Sequence, residues 1–342
     1  MNVRLLSPSP CLPLCLVLSV ALSAAGCGGG GGGGGPSTTS SNISNVVPNG
    51  KAIPVDSNEP WTAQYLNGQK VICGVFGGQP GIYIDGSFKP MPQTISGGTS
   101  YKPLFLAGNI VYGSYSAGNF SWNRTTNSVA DTGAKQAVAV SPNGDYVAFQ
   151  TAGTSSVLNV SANTEVALAV EVINALSTSG SGVCELVSSG SSPGYRFSAG
   201  GSVAKNPLTD LSGGHNYVVQ AANSSGALAG EYSGLPGIWL PNSLKPTALG
   251  IPGGNSGMAM TMNSGGAVAG SYKSSASSGS FALLWPEGAR GPSEFVDING
   301  QFPLPQGAVL TAIYALDPNS LNFIGLVTNA DGTQSIQAFT VY

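Results

Sequence analysis

The chain has 342 residues, of which 42% are hydrophobic and only 8% charged, against roughly a quarter charged in an ordinary soluble domain. Its twelve Lys and Arg against fifteen Asp and Glu leave a net charge of −3, which excludes the basic stripe that a nucleic-acid backbone demands. The hydrophobic share excludes a disordered chain, and 50 glycines among abundant Ser, Thr and Asn indicate an all-β body of the extracellular or envelope kind.

The first 26 residues read as an export signal: Arg4 supplies the positive start, and Leu12 to Leu22 is an apolar core too short to span a bilayer in the mature protein. Leu22-Ser23-Ala24-Ala25-Gly26-Cys27 resembles a bacterial lipobox. The resemblance implies diacylglycerol on the Cys27 thiol, cleavage after Gly26 and a further acyl chain, of the palmitate type, on the new N-terminus. Two or three acyl chains anchor stably where one does not. Glycines 28–35 and a Ser/Thr stretch follow, so residues 27–45 read as a flexible tether and 46–342 as the folded body. Gly in place of Asp after Cys27 resembles lipoproteins sorted to the outer membrane, which gives a cell-envelope address.

Of five cysteines, Cys11 and Cys15 leave with the signal and Cys27 takes lipid. Cys73 and Cys184 remain, each in an apolar strand-like run. They fall in units far apart in the repeat described next, so two buried free thiols are expected rather than a disulfide.

Residues 226–232 read Gly-Ala-Leu-Ala-Gly-Glu-Tyr and residues 266–272 read Gly-Ala-Val-Ala-Gly-Ser-Tyr. Each follows an Asn-Ser turn, at Asn223 and Asn263, and each precedes a segment ending in Trp, at Trp239 and Trp285. Weaker copies of the phrase centre on Gly74, Gly113, Ala148, Cys184 and Gly325, giving seven anchors with Gly230 and Gly270, spaced 35 to 55 residues apart. A second column follows the anchors: Tyr83, Trp122, Leu158, Phe197, Trp239, Trp285 and Phe339. A periodic aromatic of this kind suits packing between neighbouring repeats. Each unit splits at turn residues into four short strands, most clearly 216–221, 227–231, 237–240 and 246–251. Four strands per unit, repeated seven times, predict a β-propeller of seven four-stranded blades. Units three and four are degraded and the last step is long, so six or eight blades also fit. The last unit lacks a fourth strand, and Ala52-Ile53-Pro54 resembles the fourth-strand segment of unit five. An N-terminal strand is therefore expected to complete the last blade and close the ring.

The pattern Asn-x-x-Gly-x-apolar-x-Gly-x-Tyr, then apolar-Trp-x-x-Gly, resembles the HAF-type extracellular repeat of bacterial envelope and secreted proteins. Residues 223–250 and 263–298 carry it, with Leu284-Trp285-Pro286-Glu287-Gly288 the nearest match and no His-Ala-Phe tripeptide. The resemblance implies a fold and an address, and no catalytic residues.

Chemistry is sparse. The sole histidine, His215, has no second His and no spaced partners for a metal site or a triad, so it reads as a loop residue facing solvent. Ser202-Val203-Ala204-Lys205 spells Ser-x-x-Lys without the companion motifs and in an expected outer strand. Glu185 and Glu231 share one column of units four and five and are the acids a funnel site could use. The turns at Asp317-Pro318-Asn319-Ser320 and Asn329-Ala330-Asp331-Gly332 lack the EF-hand pattern. No metal, cofactor or catalytic set is expected. The reading is a lipid-anchored, non-catalytic envelope propeller that binds or scaffolds a protein or glycan on one rim and holds the membrane through Cys27. A polysaccharide hydrolase or lyase using funnel acids, and a purely structural or adhesive surface protein, are the alternatives.

Overall fold

The computed structural model describes residues 46–66, 68–92, 95–170, 172–185, 193–275, 279–289, 294–300 and 304–342, together with Ile43. All belong to the compact unit Ser37–Tyr342. The signal segment, Cys27 and the glycine run lie outside the described residues.

Seven antiparallel sheets follow one another in chain order. Blade one is Trp61–Leu66, Gln69–Phe76, Gln79–Ile84 and Ser87–Pro90. Blade two is Lys102–Ala107, Ile110–Tyr115, Gly118–Asn123 and Ser128–Gly133, and blade three is Gln136–Val140, Tyr146–Thr151, Thr154–Asn159 and Thr164–Leu168. Blade four keeps only Val172–Leu176, Gly182–Glu185 and Gly194–Phe197 as ladder strands. Blade five is Tyr217–Ala222, Leu228–Tyr232, Leu235–Trp239 and Thr247–Ala248, and blade six is Gly254–Met262, Val268–Ser274, Ser280–Trp285 and Val296–Asp297. Blade seven is Val309–Leu316, Phe323–Thr328 and Gln334–Val341. The first strands touch one another in succession and close from blade seven to blade one, so the chain is a seven-bladed β-propeller with its first strands innermost.

The ring closes as expected. Ile53–Val55 pairs with the last strand at Ile53↔Ile336. An unforeseen second piece, Val46–Pro48, pairs further along it at Val46↔Val341. Together they cover the outer edge of blade seven, whose raw donors and acceptors would otherwise invite another strand.

The anchor glycines have a steric cause. On the second strand, Gly113, Gly230, Gly270 and Gly325 pair with Pro103, Val219, Ala259 and Ile313, and in each case the next first-strand residue is bulged out of register. The bulge pushes backbone toward the neighbouring strand. A Cβ on Gly230 or Gly270 would stand 2.0 Å from the carbonyl oxygen of Val218 or Met258. Blade four has the same bulge with Cys184 opposite Ile173, and there the close approach moves to Gly182, whose Cβ would lie 1.9 Å from Ala175 O. In blade three the register corrects the sequence alignment by one: Phe149, not Ala148, pairs with Ala137 beside the bulge.

The aromatic column packs between blades. Trp122 joins Cys73 and Ile82 of blade one, Trp239 joins Val183 of blade four, Trp285 joins Ile238 of blade five, and Phe339 joins Leu284 of blade six. Phe197 meets Ala148, Leu158 meets Tyr112, and Tyr83 meets Ile336. Every member therefore faces the preceding blade, and the three Trp are fully buried at 0% exposure. Burial of one such ring contributes on the order of 3 kcal/mol. The indole N–H groups are also placed: Trp239 donates to Thr209 O at 3.0 Å and Trp285 to Gly250 O at 2.7 Å, both just beyond the end of the preceding blade. Cys73 and Cys184 are buried free thiols on different seams, and burial pushes each up to about 12.

Candidate functional site

Seams between blades are sealed where the turn joining first and second strands carries Asn. Asn263 Oδ1 accepts from Ala267 N at 2.9 Å within its own turn, while its Nδ2 reaches Ser320 O of blade seven at 3.1 Å. Asn223 repeats this, holding Ala227 N at 2.9 Å and reaching Asn263 O at 3.5 Å. Asn143 donates to Thr178 O at 3.2 Å, linking blades three and four. Blade four has Ser177 in its turn, fully buried at 0% exposure. That hydroxyl meets only Ser179 at 2.9 Å and Ser181 at 2.8 Å in its own turn. A serine side chain is too short to reach the next blade, so the seam between blades four and five lacks this tie.

The outer side of blade four is also irregular. Its fourth strand shrinks to one bridge, Phe197↔Val203. Ala204 N donates to Arg196 O at 2.8 Å, then Lys205, Asn206 and Pro207 loop out before Leu208 N returns to Gly194 O at 2.8 Å. Pro207 offers no N–H for a regular ladder.

Between these two irregularities lies a cavity of about 410 Å³. Ala204, Ala222 and Leu228 give it an apolar wall, Ser181, Ser198, Ser202 and Asn223 edge it, and Phe197 and Val203, whose side chains pack toward blade three, border it. Arg196, which sequence reasoning missed, is its one charged residue. The Arg196 guanidinium crosses the seam and donates to blade five: Nη1 to Gly226 O, and Nη2 to Leu240 O at 2.8 Å, Trp239 O at 3.3 Å and Ser243 O at 3.3 Å. Its Nε is buried without a partner. Burial lowers the guanidinium to about 10, with neutral carbonyls as its partners. The available signal was a lone Arg between two aromatics, Tyr195 and Phe197, in a strand of a chain with few charges.

At the other end of the seam stand Glu185 and its neighbours. Asn174, the bulged residue of the first strand of blade four, donates to Glu185 Oε1 at 2.8 Å, and its own Oδ1 is buried and unpaired. Burial raises the Glu185 carboxyl above the usual range, and the Asn174 bond pulls the other way. Tyr217 OH donates to Leu208 O at 3.0 Å and accepts from Gly194 N at 2.6 Å. His215 is half-buried, with Nδ1 3.1 Å from Leu208 O; it packs into the loop rather than facing solvent alone.

The two acids chosen from sequence are not brought together. Glu185 lies on the face of blade four that carries Val183 toward blade five. Glu231 lies on the opposite face of blade five from Tyr232, which points back toward blade four. Glu231 Oε1 accepts from Gly234 N at 3.0 Å and caps its turn. The sheet of blade five thus stands between them.

The central channel carries no acid on its wall: the seven first strands contain neither Asp nor Glu, and Lys102 is their one charged residue. Ser202 lies beside the Phe197↔Val203 bridge in the outer position of blade four. Asp317 and Asp331 are turn residues: Asp317 Oδ1 accepts from Asn319 N at 2.9 Å, and Asp331 Oδ1 from Thr333 N at 2.9 Å. Among the described residues no three His, Cys, Asp or Glu side chains gather as metal ligands.

No protein-family model matches the chain, and no curated protein matches it. Solved structures do resemble it. The extracellular domain of BT4673 from B. thetaiotaomicron is 10% identical with a TM-score of 0.48, over 86% of this chain and 40% of that one. PorZ, a surface component of the type-IX secretion system of Porphyromonas gingivalis, is 14% identical with a TM-score of 0.42, over 82% and 39%. Hsv2 of Kluyveromyces lactis is 9% identical with a TM-score of 0.42, over 85% and 99%. The chain spans about two fifths of the length of the first two.

Proposed function

We propose that the protein is a non-catalytic binding module of the bacterial envelope, tethered through lipid on Cys27 and holding a partner at the seam of blades four and five. The observation that carries the reading is the cavity of about 410 Å³ at that seam, within the size range of ligand sites. The acid-free channel wall and the separation of Glu185 from Glu231 support binding over hydrolysis. The lipobox resemblance and the glycine tether support the anchor, and Gly28 supports outer-membrane sorting. The HAF-type pattern of blades five and six supports an extracellular or envelope address.

The test is photo-crosslinking in living cells. Probes go at Ser233 and Ser275 for the mouth formed by second-to-third-strand turns, at Asn242 and Gly288 for the opposite mouth, and at Ser202 beside the cavity. One recurrent partner captured from Ser202, and lost when Ala204→Trp fills the cavity, is the expected result. Capture only from the other four positions would move the working surface away from the seam. Radiolabelled palmitate incorporation that survives Cys27→Ser would overturn the anchor.

A further inference from the structure

The N-terminal chain joins the ring at a definite place. Ile43 packs against the cluster of blades six and seven that holds Phe323, Phe339 and Val341, and Val46 pairs with Val341. Val341 N donates to Asn322 Oδ1 at 3.0 Å, and Asn322 lies in the turn joining the first two strands of blade seven. The chain therefore enters at the mouth formed by the first-to-second-strand and third-to-fourth-strand turns. Exposed apolar side chains gather at the same mouth. Among the described residues the exposed large hydrophobics are Val47, Leu211, Val218, Leu244 and Tyr342, the last at 68%. Val47 is on the closing strand next to the entry, and Tyr342 follows Val341. Leu244 is in the third-to-fourth-strand turn of blade five. That turn holds the connection carrying Leu211, through Thr209 N to Leu244 O at 2.8 Å and Lys245 Nζ to Leu211 O at 3.4 Å. Val218 is on the first strand of blade five, and the turns of the opposite mouth between second and third strands carry none of the five. Acids stand at both mouths, Asp85, Asp145 and Asp317 at the entry and Glu59, Glu231 and Asp331 at the other, so charge does not choose between them.

Resting on the lipid anchor of the reading above, we infer that the ring lies on the lipid surface that holds Cys27, with the entry mouth down and Val47, Leu244 and Tyr342 in the headgroup layer. Sixteen residues, Cys27 to Asn42, separate the anchor from Ile43. A glycine-rich chain of that length has an r.m.s. span of about 22 Å, less than half the width of about 50 Å of a body of about 300 residues. The anchor thus stays on the entry side, and turning the ring over would stretch the tether along blade seven. The tether also presents the mouth to lipid at an effective concentration near millimolar, so contacts too weak to bind a free protein suffice to orient a tethered one. Tyrosine suits that layer, because its ring is apolar and its hydroxyl stays wet. The seam cavity is edged by Ser181, Ser198, Ser202 and Asn223, in or beside turns of this mouth, so its occupant approaches along the membrane.

The experiment uses the full chain extracted from membranes and reconstituted into vesicles of phosphatidylethanolamine and phosphatidylglycerol. A thiol-reactive fluorophore is placed by Ser224→Cys or Asn319→Cys at the entry mouth, and by Ser275→Cys or Ala330→Cys at the opposite one; all four positions are exposed, and Cys73 and Cys184 are buried. The mouths are a strand apart, about 20 Å, so a short-range quencher carried on the lipid headgroup separates them. Quenching at Ser224 and Asn319 is expected to exceed that at Ser275 and Ala330 by at least about threefold. The triple variant Val47→Ser, Leu244→Ser, Tyr342→Ser changes exposed side chains only and is expected to abolish most of the difference while vesicle flotation stays complete. Equal quenching at both mouths, stronger quenching at Ser275 and Ala330, or a difference that survives the triple variant overturns the inference. Flotation of the natural chain tests the anchor separately. Protein that floats but is quenched equally at both mouths removes the orientation and leaves the anchor standing, whereas protein that does not float removes both.

Discussion

Blade six and blade four are built to the same plan and differ in how fully they meet it. Blade six has the anchor Gly270, the column residue Trp285, the tie residue Asn263 and a paired fourth strand. Blade four has Cys184, Phe197, Ser177 and a single outer bridge in the same places. In blade six every slot is filled and the seams on both sides are packed. In blade four each substitution is small, and the shortened turn and outer strand border the cavity that Arg196 crosses. A repeat of this kind is a sum of local units and neighbour interfaces, so a degraded unit need not unfold the ring; it can become the place where the ring has room.

The comparison can be broken from its strong side first. Trp285→Ala removes a fully buried ring and orphans Gly250 O, so a loss of about 5 kcal/mol is expected in denaturant unfolding, while Phe197→Ala, on the blade-three side of blade four, should lose about 3 kcal/mol. Equal losses would mean that the two seams are packed alike. Next, Gly270→Ala drives a methyl against Met258 O and should lose about 3 kcal/mol. Cys184→Ala, at the equivalent register, should lose about 1 kcal/mol. Asn263→Ala cuts the tie to blade seven and leaves Ala267 N unpaired, for about 2 kcal/mol, read as a lowered melting temperature and faster hydrogen exchange at Ala267.

Glu185 supplies a pH test of the irregular seam. The groups close to it are Asn174 by hydrogen bond and Cys184 and Tyr217 by proximity, with no cation among them. Its carboxyl is raised in the folded state, chiefly by burial. The folded state therefore holds the proton more tightly than the unfolded chain. The contribution to stability is full below the ordinary carboxylate range and is lost as pH rises through the raised value. Melting temperature measured from pH 4 upward should fall over that window in the natural chain and fall less in Glu185→Gln. Identical profiles would show that the carboxyl is not desolvated. The smallest effect is expected far from the seam: Lys135→Ala breaks a surface pair with Glu165 of 2.7 Å, each side chain about a third exposed at 34% and 38%, and should cost at most about 1 kcal/mol.

Much of the ring was legible because its determinants are local. The Gly-x-Tyr phrase, the aromatic column and the turn residues mark strands within a few residues of each other, and Ala52-Ile53-Pro54 declared the closing strand. The anchor of blade three was misread by one residue because a β-bulge changes which face a residue takes, and strict alternation cannot register it. The short strand Val46–Pro48 was missed because three residues carry too little pattern. Glu185 and Glu231 looked like a pair because they share a column. In a ring of blades that column repeats on successive sheets, so adjacent members always have a sheet between them unless both reach the channel.

The sequence by itself determined the kind of unit, the glycine under the bulges of blades two, five, six and seven and the large apolar wedge between blades, since each follows from sterics and burial within one repeat. Only the tertiary structure decided where the ring has space and what chemistry fills it. That outcome depends on whether a turn side chain is long enough to reach the neighbouring blade, as Asn263 is and Ser177 is not, and on which lone cation, Arg196, spans the gap left behind.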